Sequence, residues 1–310
     1  MQVRDHPEYS VRAPRGFWPG RIKPAQEAES AQTPQQRLIQ AMMFPLPKTD
    51  LGVSARADYL ETEADDKQVS LDVYFEGDRF DYRDQGQGKD VNLEVLYLIY
   101  DSSGKQVEGI SGSVEAHLTQ QGMERAQSGG YRFSRRVALK PGVYQVRAGV
   151  REEGSDRLGT ATTWVEVPQA KPGALEMSSL ILSNPLDMNL EAAKDIDVNG
   201  LEQIKMVQGI PMYSQDDIFY YTYRVRRGGD DVSDAGLLLK RELLQGGEPV
   251  KTDDWRPAAA LDVSDGKGWS DYDGELDISE LDPGAYELRI SLKEGPSGKA
   301  VSRSVAFGIL

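Results

Sequence analysis

The chain has no cysteine, only two histidines, and no apolar run long enough to cross a bilayer as a helix. The first absence removes disulfides, thiolate metal ligands and cysteine nucleophiles. The second leaves His6 and His117 without the further partners that a metal site or a catalytic triad needs. No H-E-x-x-H, Walker loop or dinucleotide fingerprint occurs. Gly109-Ile-Ser-Gly-Ser113 lacks the last glycine of a nucleophile elbow, and Gly86-Gln-Gly88 lacks a third glycine and a following helix. Residues 1–20 carry charges and prolines but no apolar core, so they do not read as a signal peptide. An exported form would take its signal from a longer precursor.

Composition bounds what remains. A length of 310 residues fits two domains. Tyrosine outnumbers phenylalanine, 14 to 7, and 31 glycines punctuate the chain, as in a β-rich protein with many turns. Fifty acids against 36 bases leave a formal charge of −14, which argues against a nucleic-acid partner. The acids are dispersed and mixed with bases, so they read as solvated surface. They are densest from Asp262 to Asp282, including Asp265, Asp271, Asp273, Glu275 and Asp277. Carboxylates suit Ca²⁺, but an EF-hand register with Gly274 at its sixth position puts Trp269 at the first. No cofactor and no metal residue is assigned; loop calcium is the alternative reading of this region.

One phrase occurs twice. Leu139-Lys-Pro-Gly-Val-Tyr-Gln-Val-Arg147 returns as Leu281-Asp-Pro-Gly-Ala-Tyr-Glu-Leu-Arg289. Proline presets φ and glycine supplies a positive φ, so Pro141-Gly142 and Pro283-Gly284 read as turns. The following residues alternate. Tyr144, Val146, Ala148 and Val150 share one face, as do Tyr286, Leu288, Ile290 and Leu292. A period of two marks a strand with one buried side. A tyrosine just after such a corner matches the tyrosine corner of Greek-key sandwiches, so Tyr144 and Tyr286 read as structural rather than ligand-binding.

The fold class expected is therefore all-β: two tandem immunoglobulin-like sandwiches with an extended N-terminal arm and one short helix. Residues 1–50 form the arm and helix, with a short strand near Tyr9–Ala13. Thr33, Pro34 and Gln36 start the helix, which carries Leu38, Ile39, Met42 and Met43 on one stripe and ends at Pro45. Residues 51–168 form the first sandwich. There Val69, Leu71, Val73 and Phe75 alternate with Ser70, Asp72, Tyr74 and Glu76, and Leu93–Tyr100 is apolar on both faces. Residues 93–108 read as a hairpin and Val114–Leu118 as a separate strand. Residues 169–174 are the linker and 175–310 the second sandwich. Its candidate strands include Leu175–Leu182 and Gln203–Gln208, separated by an irregular acidic insertion at 184–200.

Several quoted segments resemble a known family. Val11-Arg-Ala-Pro-Arg-Gly-Phe-Trp18, Pro45-Leu-Pro47 and Asp50-Leu51 resemble the region after the von Willebrand factor type A domain in exported acidobacterial proteins. Tyr97-Leu-Ile-Tyr-Asp-Ser-Ser-Gly-Lys105, the corner at Pro141, Gly159-Thr-Ala161, Val165-Glu-Val-Pro168 and Gly173-Ala-Leu-Glu-Met-Ser-Ser-Leu-Ile-Leu182 continue the resemblance. The type A domain itself, with its Asp-x-Ser-x-Ser metal motif, is missing from the chain. The resemblance implies a secreted, cell-surface or periplasmic sandwich protein without enzymatic activity.

The leading functional expectation is a non-enzymatic structural or interaction protein that contacts a protein partner or assembles with itself, its arm adding a strand to a neighbour's edge. The alternative is a carbohydrate- or peptide-binding module. Its candidate rings are Phe17 and Trp18 in the arm and Tyr213, Tyr220, Tyr223, Trp255 and Trp269 in the second sandwich. A third reading is a glycosidase using a pair of carboxylates from the acidic loops.

Overall fold

In the computed structural model, the structure describes residues 2–3, 6–10, 32–60, 67–85, 88–119, 124, 127, 129–169, 174–182, 201–204, 206–207, 210–226, 236–259, 269–295 and 298–310. Near the N-terminus, Gln2–Val3 pairs antiparallel with His6–Ser10, where one strand was expected at Tyr9–Ala13. The rest of the arm, Phe17 and Trp18 included, lies outside the described residues, as does 183–200.

The first sandwich stacks two antiparallel sheets. Val53–Tyr59, Lys67–Glu76 and Gly130–Leu139 form one. Leu158–Val167, Gly142–Glu152, Gly88–Asp101 and Gln106–Leu118 form the other, in that order. Their inner faces meet in one core. Val69, Leu71, Val73 and Phe75 pack there with Leu93, Val95, Tyr97, Ile99, Val146, Ala148 and Val150. Tyr97 ties the layers, its hydroxyl donating to the Phe133 carbonyl at 2.9 Å.

The second sandwich repeats this order. Glu176–Met177 and Ile181–Leu182 flank Phe219–Arg226, which pairs with Trp269–Leu276. Opposite them run Val301–Ile309, Gly284–Glu294, Leu237–Gln245 and Glu248–Thr252. Ile210–Tyr213 adds a parallel strand beside Val301–Ile309. A second core gathers Tyr221, Tyr223, Leu288, Ile290 and Phe307. Consecutive strands that cross between two sheets in this order make both halves immunoglobulin-like sandwiches.

The repeated phrase marks the same place in both. Tyr144 donates to the Lys140 carbonyl and Tyr286 to the Asp282 carbonyl, each at 2.8 Å. Both glycines, Gly142 and Gly284, take the positive φ expected, at 158° and 155°, wider than the value of a type II turn. Each already pairs as the first residue of its strand, with Val167 and Ile309 respectively, and pairing imposes extended geometry.

The helix, Pro34–Met43, begins with a reciprocal cap. Gln36 N–H donates to Thr33 Oγ1 at 3.2 Å, and Thr33 N–H donates to Gln36 Oε1 at 2.9 Å. Leu38 and Met42 bury against Leu96 and Leu98, which explains a central strand that is apolar on both faces. Ile39 and Met43, expected on the same stripe, stay exposed, because the buried stripe runs through Leu38, Ala41 and Met42. Close approach depends on Gly149, where a Cβ would lie 2.6 Å from Met42 Sδ and 2.9 Å from Leu38 Cδ1. Gly149→Leu is therefore expected to push the helix off its seat and cost about 1–3 kcal/mol, measured by urea unfolding.

Two strands differ from the sequence reading. Gln106–Leu118 is one continuous strand of 13 residues, where a hairpin arm and a separate strand were expected. Gly109 and Gly112 do not break it, because small residues are tolerated in an extended edge; Gly112 leaves room for the Phe133 ring, 2.9 Å from where a Cβ would stand. A strand was expected at Gln203–Gln208 in the second sandwich; the observed strand Leu201–Ile204 overlaps only its start and pairs with Gly130–Leu139, Leu201 opposite Phe133 and Ile204 opposite Gly130. It thereby extends a sheet of the first sandwich.

Candidate functional site

The residues that alternate outward from the first sheet are polar: Arg56 and Asp58 on one strand, Ser70, Asp72 and Tyr74 on the next, and Arg132, Ser134 and Arg136 on the third. Alternation alone places them in water. The structure buries several of them, with Asp58 at 7%, Asp72 at 8% and Tyr74 at 4% exposure. The second sandwich faces them, and Tyr213 lies close enough to Arg56, Tyr74 and Arg132 for their charges to act on its hydroxyl.

The junction is hydrogen-bonded in detail. Arg56 forks onto the Asp58 carboxylate, and its Nη2 also donates to the Leu180 carbonyl at 2.8 Å. Tyr59 N–H donates to Ser179 Oγ at 3.1 Å, and Ser179 N–H donates to the Tyr59 carbonyl at 2.9 Å. These bonds explain why the expected strand Leu175–Leu182 is split. Its two pieces end at Met177 and resume at Ile181, while Ser179 turns its backbone toward the first sandwich. Residues Leu38–Leu310 accordingly form one compact unit.

Electrostatics at the junction follow from burial. Desolvation acts to lower the Arg56 pKa, but the Asp58 carboxylate overrides it and the net direction is upward. For Asp72, desolvation raises the pKa, opposed by the Ser134 hydroxyl and by Arg132. A carboxyl with a raised folded pKa holds more proton in the folded than in the unfolded chain above pH 3.8. Its contribution to stability is complete below that pH and is lost as pH rises through the shifted value. Asp72→Asn is therefore expected to be more stable than the parent at neutral pH and to lose part of the slope of stability on the acid side. Thermal melts of both chains from pH 4 to 7 check this.

At the mouth of the junction is a cleft of about 390 Å³. Leu60, Gln68 and Arg136 line it from the first sandwich, and Thr222, Arg224 and Asp271 from the second. Arg224 is held by Asp271 at 2.6 Å.

Among the described candidate rings, three point into the interior. Tyr213, Tyr223 and Trp269 are buried, because alternation in their strands turns them toward the interior. Tyr223 stacks on Tyr272 at 5.4 Å, and Trp269 lies under Arg226 at 5.2 Å. Tyr220 and Trp255 are half-buried, and Lys293 sits 4.2 Å over the Trp255 ring. Phe17 and Trp18 lie outside the described residues. The backbone of His117 belongs to strand Gln106–Leu118.

The acidic residues are also spread. Asp271, Asp273 and Glu275 project outward from one strand, and Asp277 caps a turn by accepting from Ser279 N–H at 3.0 Å. Asp217 accepts from Ser214 N–H and closes the turn before Phe219–Arg226. Asp262 and Asp265 lie outside the described residues; among the described residues, no three metal-ligating side chains gather. The sequence reading did not single out Arg56, Asp58, Asp72 or Ser179. The available signal was a mixture of arginine, aspartate and serine on the supposed solvent face of three neighbouring strands.

No protein-family model matches the chain, and no curated protein matches it. Likeness to solved structures is slight. The C-terminal domain of the AgI/II polypeptide BspA of Streptococcus agalactiae matches at 9% identity and a TM-score of 0.21, over 83% of this chain and 99% of that one. The BSP domain of a biofilm-associated protein matches at 12% identity and a TM-score of 0.19, over 87% and 52%. Bacteroides uniformis beta-glucuronidase 2, as a calcium-binding mutant, matches at 14% identity and a TM-score of 0.23; 48% of this chain is covered, and the chain spans 15% of that one. The sandwich fold rests on the strand order described above. No helix among the described residues is long and apolar enough to cross a membrane.

Proposed function

We propose that the chain is a non-catalytic, exported interaction protein whose two sandwiches act as one stiff unit in protein contacts at the cell surface. One observation carries this reading. Charged and polar groups of the first sandwich's outer face, Arg56, Asp58, Asp72 and Tyr74, are covered where the second sandwich meets it, and Arg56 bonds across to the Leu180 carbonyl. Asp72 is bound to Ser134 within its own sheet and Arg56 reaches the Leu180 carbonyl, so these covered groups are paired rather than presented to a substrate. The strand Leu201–Ile204 adds main-chain bonds between the halves. A glycan platform has less support, since three of its rings lie inside.

The test is native isolation from fractionated source cells, followed by light scattering and negative-stain microscopy. The reading expects recovery from the envelope or the medium in a complex heavier than a single chain. Recovery from the cytoplasm as a lone monomer would overturn it.

A further inference from the structure

The edge strand Gln106–Leu118 pairs on one side only. Among the described residues, its partner is Gly88–Asp101 and its other side carries no strand. Open edges invite pairing, and proteins usually blunt them by shortening the strand or by placing proline or lysine on it. The second sandwich does so at the equivalent position. Glu248–Thr252 is five residues long and contains Pro249 and Lys251. The first sandwich does neither. Its edge is 13 residues long, with no proline, lysine or arginine.

The orientation of the free groups is legible. Gly109 N–H donates to the carboxylate of its own neighbour Glu108 at 3.0 Å, so it points to the open side. The two-residue period then aims the N–H groups of Ser111 and Ser113 the same way. An antiparallel twin that uses the whole strand sets Gln106 opposite Leu118 and centres on Gly112. Ser111 then faces Ser113, and Ile110 faces Val114. Each of these pairs occurs twice by symmetry. Glu108 falls opposite Ala116 and Glu115 opposite Gly109, so no two carboxylates meet. In this register, the residues whose N–H groups point outward are the ones that exchange bonds.

We propose that Gln106–Leu118 is a self-association edge that joins two copies of this chain about a twofold axis at Gly112, making one continuous sheet from two sandwiches. This deepens the interaction reading above by naming a second copy as the partner, and it can fail while that reading stands. Glu108 is the strand's own brake, since its carboxylate occupies the Gly109 N–H that the twin would use.

The experiment is sedimentation velocity on the purified full chain over a range of concentrations, with three sets of variants. Ser111→Pro removes an outward N–H without touching the bonds to Gly88–Asp101, and symmetry doubles the loss. Dimer affinity should fall about thirtyfold while the melting profile is kept. Glu108→Ala should strengthen the dimer. Because the chain has no cysteine, Ser111→Cys and Ser113→Cys report the register directly. Mixing the two variants under mild oxidation should yield a disulfide-linked dimer, and neither variant alone should. A monomer at every concentration, a dimer indifferent to Ser111→Pro, or cross-linking of either cysteine variant alone would overturn the proposal. A monomer that binds an extended foreign peptide along this edge would overturn it as well, since the occupant would then not be a second copy.

Discussion

Replacing Arg56 with alanine is expected to lower the unfolding free energy by about 2–4 kcal/mol, measured by chemical denaturation. The size follows from what is stranded. Asp58 is 7% exposed and takes both bonds of the Arg56 fork, and the Leu180 carbonyl takes a third donor from the same guanidinium. Without Arg56, a covered carboxylate and a covered carbonyl have lost their partner, and desolvation is not repaid. The loss falls below that of a fully enclosed pair because 25% of the Arg56 side chain still meets solvent. Arg56→Lys keeps the charge but not the planar fork, so it should recover only part of the loss. A change below about 0.5 kcal/mol, as expected of an ordinary surface substitution, would show that the ion pair does not hold the junction.

Phe307→Ala should cost about 3–5 kcal/mol. Phe307 is fully buried in the second core, 4.4 Å from the Phe219 ring and 5.7 Å from Tyr286, the corner tyrosine. Tyr213 stands at 6.2 Å. Removing the ring opens a cavity among three aromatic neighbours that the strands cannot close. The consequence reaches past the second sandwich, because Tyr213 also lies within electrostatic reach of Arg56 and Arg132 on the first. Hydrogen exchange should therefore show amides in Gly142–Glu152 losing protection along with those in Gly284–Glu294. Loss confined to Gly284–Glu294 would mean that the sandwiches open separately.

Much of the architecture could be read from the sequence for a physical reason. Strands with one buried face carry a two-residue period, and Tyr144 and Tyr286 open such strands after a proline corner, so both sandwiches announced themselves. The helix was equally plain, since Thr33 and Gln36 form a local cap that owes nothing to the rest of the fold. The junction was hidden for the opposite reason. Asp72 and Arg56 look like solvent-facing residues until a second sandwich covers them, and no local pattern records that cover. The strand expected at Gln203–Gln208 was placed in the second sandwich, whereas Leu201–Ile204 pairs with the first, because pairing partners are set by tertiary structure. In Phe219–Arg226 the rings alternate, with Phe219, Tyr221 and Tyr223 turned inward and Tyr220 half-buried on the other face; alternation alone does not say which face turns inward.

The central claim is that the two sandwiches stand as one unit, joined through the polar face of the first and the borrowed strand. Differential scanning calorimetry of the intact chain tests it most directly. One transition, with calorimetric and van't Hoff enthalpies in agreement, is predicted. Two resolved transitions would contradict the account and leave two independent domains on a string.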